Sequence, residues 1–161
     1  SKEKLDLCKS QGADELILYS RDSMDKASQK AFSDEIKVLT DKQGVDVVFD
    51  PVGGAYSEPA LRAMAWKGRY LVIGFTSSIP SIPLNLALLK GCQIVGVFWG
   101  NFCVKEPLVN AANFKDLFAM FEEGQIKPFV VETYPLEQTG YAIELLAKRE
   151  AIGKIAIKVR D

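Results

Sequence analysis

Glycines placed directly after apolar runs are where this chain could let a backbone approach a ligand. Asp50-Pro51-Val52-Gly53-Gly54 follows the run Val45 to Phe49, Gly74-Phe75-Thr76-Ser77 follows Arg69 to Ile73, and Phe98-Trp99-Gly100 closes Gln93 to Val97. Glycine at such a point admits a positive φ or removes the Cβ that would hold a ligand away, and a plain turn uses the same residues. At the start, Ser1, Lys2 and Lys4 gather cations and a hydroxyl. They could grip an anion or simply solvate an exposed helix face. There is no histidine, which removes histidine-based triads, histidine-ligated zinc or haem, and histidine acid–base chemistry. Cys8, Cys92 and Cys103 show no C-x-x-C spacing, so they are expected to be free thiols, mostly buried as small apolar groups, in a reducing compartment. Carboxylates such as Glu122-Glu123 read as a solvated helix face. Neither a catalytic residue nor a metal-ligand set is assigned.

The elements that would position these loops follow from periodicity. The chain has 161 residues, 48% apolar and 25% charged, which is the composition of a soluble globular protein of one ordinary domain. Twenty basic against 21 acidic residues argue against a nucleic-acid surface. No stretch reaches the roughly 20 apolar residues of a membrane span. The sequence opens at Ser1, directly in a helical pattern and without a signal-peptide pattern, so it reads as a fragment or processed product.

Helices are expected over 2–11, 24–41, 56–66, 84–90, 105–123 and 137–149. The last long stripe consists of Phe114, Leu117, Phe118 and Phe121. Strands are expected at Asp14 to Tyr19, Val45 to Asp50, Arg69 to Phe75 and Gln93 to Trp99, with an extended segment from Phe129 to Thr133 and an outer strand from Lys154 to Val159. Strands separated by helices of about ten to eighteen residues argue for right-handed βαβ units and a doubly wound parallel sheet, an α/β fold of Rossmann type. Ligands in such sheets sit beyond the carboxyl ends of the strands. The places to search are therefore Tyr19-Ser20, Asp50 to Gly54, Gly74 to Ser77 and Phe98 to Gly100.

At this point the residues carry a resemblance. Ser1-Lys2-Glu3-Lys4, Gly12-Ala13-Asp14, Val47 to Gly54, Gly68 to Phe75 and Gly153-Lys154 together resemble the medium-chain dehydrogenase/reductase superfamily. Within it they are most similar to the NADPH:quinone oxidoreductase, or zeta-crystallin-like, branch. The resemblance implies a partial NADPH-binding Rossmann domain over 1–125, lacking the first two strands. It also implies a segment over 126–161 that returns to a catalytic domain lying upstream, together with the glycine-rich phosphate loop. No G-x-G-x-x-G occurs in the chain itself.

An adenosine ribose bearing a 2′-phosphate needs a cation and hydroxyls where NAD-specific enzymes place a carboxylate. The family's quinone oxidoreductase pattern has a Lys and a Tyr fifteen positions apart around that phosphate, which match Lys4 and Tyr19, with Ser1 beside them. Its Arg four positions before a Gly matches Arg149 before Gly153. By the same resemblance Val52 and Gly53 lie beside adenine and ribose, Gly74, Phe75 and Thr76 with Val97, Phe98 and Trp99 line the nicotinamide pocket, and Lys154 lies near the cofactor. The implied activity is zinc-independent hydride transfer from NADPH to a quinone, an enone or a similar electron-poor acceptor by the full-length protein, with this piece alone inactive. Two alternatives stand beside it: an enoyl thioester reductase of the same superfamily, and a non-catalytic Rossmann module for binding or dimerisation. The resemblance also implies a homodimer through pairing of Gln93 to Trp99 across a two-fold, and that segment is apolar enough for it. No nucleic-acid or membrane partner is expected, and the location is cytoplasmic, with a mitochondrial one left open. With its first neighbours missing, the segment Asp14 to Tyr19 is expected to lose its partner and Val45 to Asp50 to expose an edge.

Overall fold

The computed structural model describes residues 1–19 and 24–160. It divides into two compact groups, Ser1–Leu18 with Glu106–Asp161, and Tyr19–Lys105. The sequence expectation at Ser20 lies outside the described residues.

The Tyr19–Lys105 group is built on three parallel strands, β1 (Val45–Asp50), β2 (Met64–Val72) and β3 (Gln93–Gly96), in the order β1-β2-β3. β1 is rich in valine, whose branched side chain suits the pleated surface. Tyr70 is the pivot of the register, facing Val48 on β1 and Ile94 on β3. Helix α2 (Lys26–Leu39) precedes β1, α3 (Ser57–Arg62) links β1 to β2, and α4 (Asn85–Lys90) links β2 to β3. This alternation is what a parallel sheet requires, because each strand must be carried back by a crossover. Asp25 starts α2 by accepting a hydrogen bond from the Ser28 amide at 2.7 Å, and that bond holds its carboxyl below the ordinary value. Leu61 of α3, Leu86 of α4, and Met64 and Tyr70 of β2 form the buried core, with Val45, Val48, Val72 and Ile94 packed against them. On the other side of β1, Val47 and Phe49 are exposed.

Four expectations are corrected, the first in the segment that leads into this group and three within it. Asp14 to Tyr19 is not a strand, since no ladder partner lies beside it among the described residues. The helix expected over 56–66 is a short 3-10 turn, Gly54–Tyr56, followed by α3, which stops at Arg62. The chain then enters β2 five residues earlier than expected: Met64 pairs with Val45, the register shifts, and Arg69 pairs with Val47. Lys67 and Gly68, expected to end a helix, lie within β2 at that shift, where the Lys67 amide donates to the Gly91 carbonyl at 3.1 Å. Gly91 ends α4 with φ 57°, and a Cβ there would lie 2.1 Å from the Trp66 ring, so both conformation and space demand glycine. Finally, β3 ends at Gly96 because its neighbour β2 ends at Val72. Trp99 therefore opens a helix, α5 (Trp99–Lys105), instead of closing a strand.

The other group holds α1 (Lys2–Ser10), α6 (Pro107–Glu122), and β4 (Val130–Pro135) paired in parallel with β5 (Lys154–Lys158) through the crossover helix α7 (Thr139–Ala147). Ser1 caps α1, its hydroxyl accepting from the Lys4 amide at 3.5 Å. α6 begins two residues later than expected, with Pro107 in its first turn, and its stripe of Phe114, Leu117, Phe118 and Phe121 is exposed at 40% or more. α7 stops at Ala147, short of the expected 149, because Arg149 takes a left-handed φ of 59°. None of the cysteines is buried: Cys8 is exposed on a helix that buries nothing, and Cys92 and Cys103 are half-buried, which corrects the expectation of core thiols.

Candidate functional site

Beyond the carboxyl end of β1, one carboxylate organises the loop. Asp50 Oδ1 accepts from the amides of Val52 and Gly53, both at 2.9 Å. Its Oδ2 accepts from Ser57 Oγ at 2.9 Å and from the Tyr70 hydroxyl. Burial works against the Asp50 charge, but the bonds from Tyr70, Gly53, Val52 and Ser57 outweigh it and hold the carboxyl below its ordinary value. Burial, reinforced by the Asp50 carboxylate, pushes the Tyr70 phenol above its ordinary range. The pair is thus fixed as carboxylate and neutral phenol at neutral pH. That suits a structural clamp, not a proton donor.

The loops after β1 and β2 are tied together by backbone bonds. The Ile73 and Gly74 amides donate to the Asp50 carbonyl at 3.0 and 3.3 Å, and Ser77 donates to Val52 at 2.9 Å. Thr76 reaches the Pro51 carbonyl through its amide at 3.4 Å and its hydroxyl at 3.2 Å. Gly53 forms a parallel bridge to Ser78, and the Gly54 amide donates to the Ser78 carbonyl at 2.8 Å. Gly53 itself has φ 72° and ψ −150°, a region that side chains avoid, and a Cβ there would lie 2.6 Å from the Ser78 carbonyl oxygen. The Val97 amide donates to Val72 at 2.9 Å, which brings the end of β3 to the same rim. Phe75, Phe98 and Trp99 are exposed there at 46%, 76% and 59%.

Eight of the thirteen expected cofactor residues therefore line the carboxyl ends of three adjacent strands: Val52, Gly53, Gly74, Phe75, Thr76, Val97, Phe98 and Trp99. Tyr19 belongs to the same group, with its ring 4.9 Å from that of Tyr56 and 6.3 Å from that of Phe32. Tyr56 stands just after Gly53-Gly54, so this stack ties Tyr19 to the loop.

Ser1, Lys4, Arg149 and Lys154 belong to the other group. Lys4 Nζ donates to the Arg149 carbonyl at 2.8 Å, which joins residues 145 positions apart, with Ser1 capping the helix that carries Lys4. Lys154 begins β5, its amide donating to the Phe129 carbonyl at 2.9 Å and its side chain exposed.

Sequence reasoning placed Asp50 among the strand-end residues to search without assigning its role, and missed Ser57, Tyr70 and Ser78. The available signal was an Asp ending a valine run two residues before Val52-Gly53, the pattern of an aspartate that folds back onto its own backbone.

Residues 11–157 match the family model described as zinc-binding dehydrogenase. The chain belongs to the medium-chain dehydrogenase/reductase superfamily, on its quinone oxidoreductase-like side. It is 33% identical to quinone oxidoreductase-like protein 2 of Bos taurus over 161 residues, covering 99% of this chain and 44% of that protein. Pseudomonas syringae quinone oxidoreductase superposes with a TM-score of 0.77 at 25% identity, over 99% of this chain and 47% of the other. Mycobacterial Rv1454c complexed with NADPH superposes with a TM-score of 0.81 at 24% identity, over 99% of this chain and 48% of the other, and shares the fold. The chain spans less than half the length of these relatives. As a member of this superfamily it has an α/β fold with parallel sheets, matching Rossmann-containing structures over part of their length. The zinc of the family's name finds no fitting donor set among the described residues, where no three His, Cys, Asp or Glu side chains gather as a metal site. Among the described residues no helix is long and apolar enough to cross a membrane.

Proposed function

We propose that this chain forms the cofactor-binding part of an NADPH-dependent oxidoreductase that passes hydride to a quinone or a similar electron-poor acceptor. Residues 1–125 contribute the partial cofactor domain, and 126–161 return to the catalytic domain. When bound, NADPH supplies the hydride. The chain's own residues bind, orient and exclude water: Gly53 gives the adenosine a surface without a Cβ and Val52 flanks it, Ser1, Lys4, Tyr19 and Arg149 hold the 2′-phosphate, and Lys154 stands near the cofactor. Gly74, Phe75, Thr76, Val97, Phe98 and Trp99 shield the nicotinamide, since transfer needs donor and acceptor held close in a dry site.

The observation that carries the reading is the Lys4–Arg149 contact. Three of the four residues that the family resemblance assigns to one phosphate, Ser1, Lys4 and Arg149, come together on one group through the Arg149 backbone carbonyl, although the sequence separates them, while Tyr19 belongs to the other group. A charge-assisted bond to phosphate is among the stronger polar contacts, about 1.5–3 kcal/mol. Lys4→Ala in the full-length protein is therefore expected to weaken NADPH binding about tenfold or more and to leave NADH binding within about twofold. Fluorescence titration with both cofactors reads this directly, and equal losses for NADPH and NADH would refute the phosphate role. Assay of the same protein with a quinone and an enoyl thioester separates the two acceptor classes. We assign the homodimer contact to the segment Gln93 to Trp99, where β3 is the outer strand of its sheet.

A further inference from the structure

On the helical side of the Tyr19–Lys105 group lies a cleft of about 620 Å³ that the cofactor reading does not use. Helix α2 turns one face into it, at positions 26, 29, 30, 33, 34 and 37, and α3 closes it with Glu58 and Arg62. That volume is the size of an ordinary small-molecule site.

The charges in its wall do not balance. Lys26, Lys30, Lys37 and Arg62 face two carboxylates. Asp34 is shared between Lys30 at 3.0 Å and Lys37 at 3.1 Å, and Glu58 is taken by Arg62 at 2.6 Å. Lys90, in the last turn of α4, also feels the surplus. Burial first, then the nearby charges of Lys37 and Arg62, lowers its affinity for a proton. Like charges held this close favour an anion between them.

A second, independent observation comes from the same wall. Ser33 is 2% exposed, and its hydroxyl has no hydrogen-bond partner among the described residues. Buried hydroxyls are almost always satisfied, because leaving one unpaired is costly. This hydroxyl swings on a single torsion, so an acceptor placed in the cleft could recruit it.

From the unbalanced cations and the orphaned serine in one cleft, we infer a second ligand site, separate from the strand-end rim, for a compact multivalent oxyanion. Arg62, whose Nε and Nη2 already donate to Glu58, adds its delocalised charge, and the lysines act as point charges around it. Phosphate esters and polycarboxylates share this chemistry, and inorganic pyrophosphate and citrate serve as the probes that tell them apart.

Calorimetric titration of the chain is expected to show saturable binding of at least one probe. At about a hundredfold excess over Kd, that probe should raise the unfolding midpoint by about 5 °C or more. The double variant Lys37→Gln, Arg62→Gln should weaken binding about tenfold or more. Ser33→Ala should also weaken it, while leaving the midpoint of the unliganded chain unchanged or higher, because the substitution removes an unsatisfied group. If neither probe saturates, or if the double variant binds as well as the parent, the site does not exist. If sulfate at matched ionic strength raises the midpoint as much as pyrophosphate and citrate do, the effect is salt alone, and the inference fails as well.

Discussion

Asp50→Ala is expected to lower the unfolding free energy of the chain by about 3 kcal/mol or more. The substitution removes the acceptor for four donors at once. Two of these, the hydroxyls of Ser57 and Tyr70, belong to residues only 2% exposed, where water cannot easily replace the carboxylate. Each buried donor left unpaired costs about 1–3 kcal/mol. Urea unfolding followed by far-ultraviolet circular dichroism measures the difference, and a loss below about 1 kcal/mol would show that the clamp is dispensable. Asp50→Asn, which keeps one acceptor oxygen, should lose less.

The clamp also has a pH signature. The folded chain holds Asp50 below its ordinary 3.8, so its contribution is present above that value and fades as pH falls through the folded pKa. The folded chain holds Tyr70 above its ordinary 10.0, so the phenol's contribution is complete below that value and is lost as pH rises past it. Stability carried by this pair should therefore form a plateau through neutral pH, with shoulders at both ends that Asp50→Ala removes.

Gly53→Ala is the second large effect, expected at about 3 kcal/mol. Its backbone lies in a region that is essentially reserved for glycine, which alone costs an alanine about 1–3 kcal/mol. The new Cβ would also meet the Ser78 carbonyl at 2.6 Å, which is backbone and cannot swing aside. Relief requires opening the Gly53–Ser78 bridge, and with it the joint between the loops after β1 and β2. In the full-length protein the same substitution should weaken NADPH binding about tenfold or more. Thermal unfolding and cofactor titration read the two consequences separately. An unchanged melting point would show that the loop relaxes freely, and an unchanged Kd would detach the loop from the cofactor.

The parts of the fold that were legible in the sequence were those decided by local chemistry. Val45 to Asp50 is a strand with the expected ends because its branched residues are bounded by Gly44 and Pro51. The glycine punctuation after each apolar run marked the rim where most of the expected cofactor residues stand. What escaped reading was decided by neighbours. Leu16 to Leu18 have strand-forming side chains but no ladder beside them among the described residues, and β3 gives way to helix once β2 no longer accompanies it. The carboxylate holding the rim was hidden for another reason: Asp50 draws on Tyr70, twenty positions away, a pairing that the parallel register creates and periodicity does not record. The Lys4–Arg149 contact was reached only through family resemblance, since nothing local links the two ends of the chain.

Trp66 and Trp99 are the only tryptophans in the sequence, and both fall in the Tyr19–Lys105 group. One lies against the glycine that ends α4, and the other at the rim beyond β3. Intrinsic indole emission is consequently a private optical channel for that half. It reports melting there while staying silent about the remainder, and a nicotinamide seated beside Trp99 would quench it.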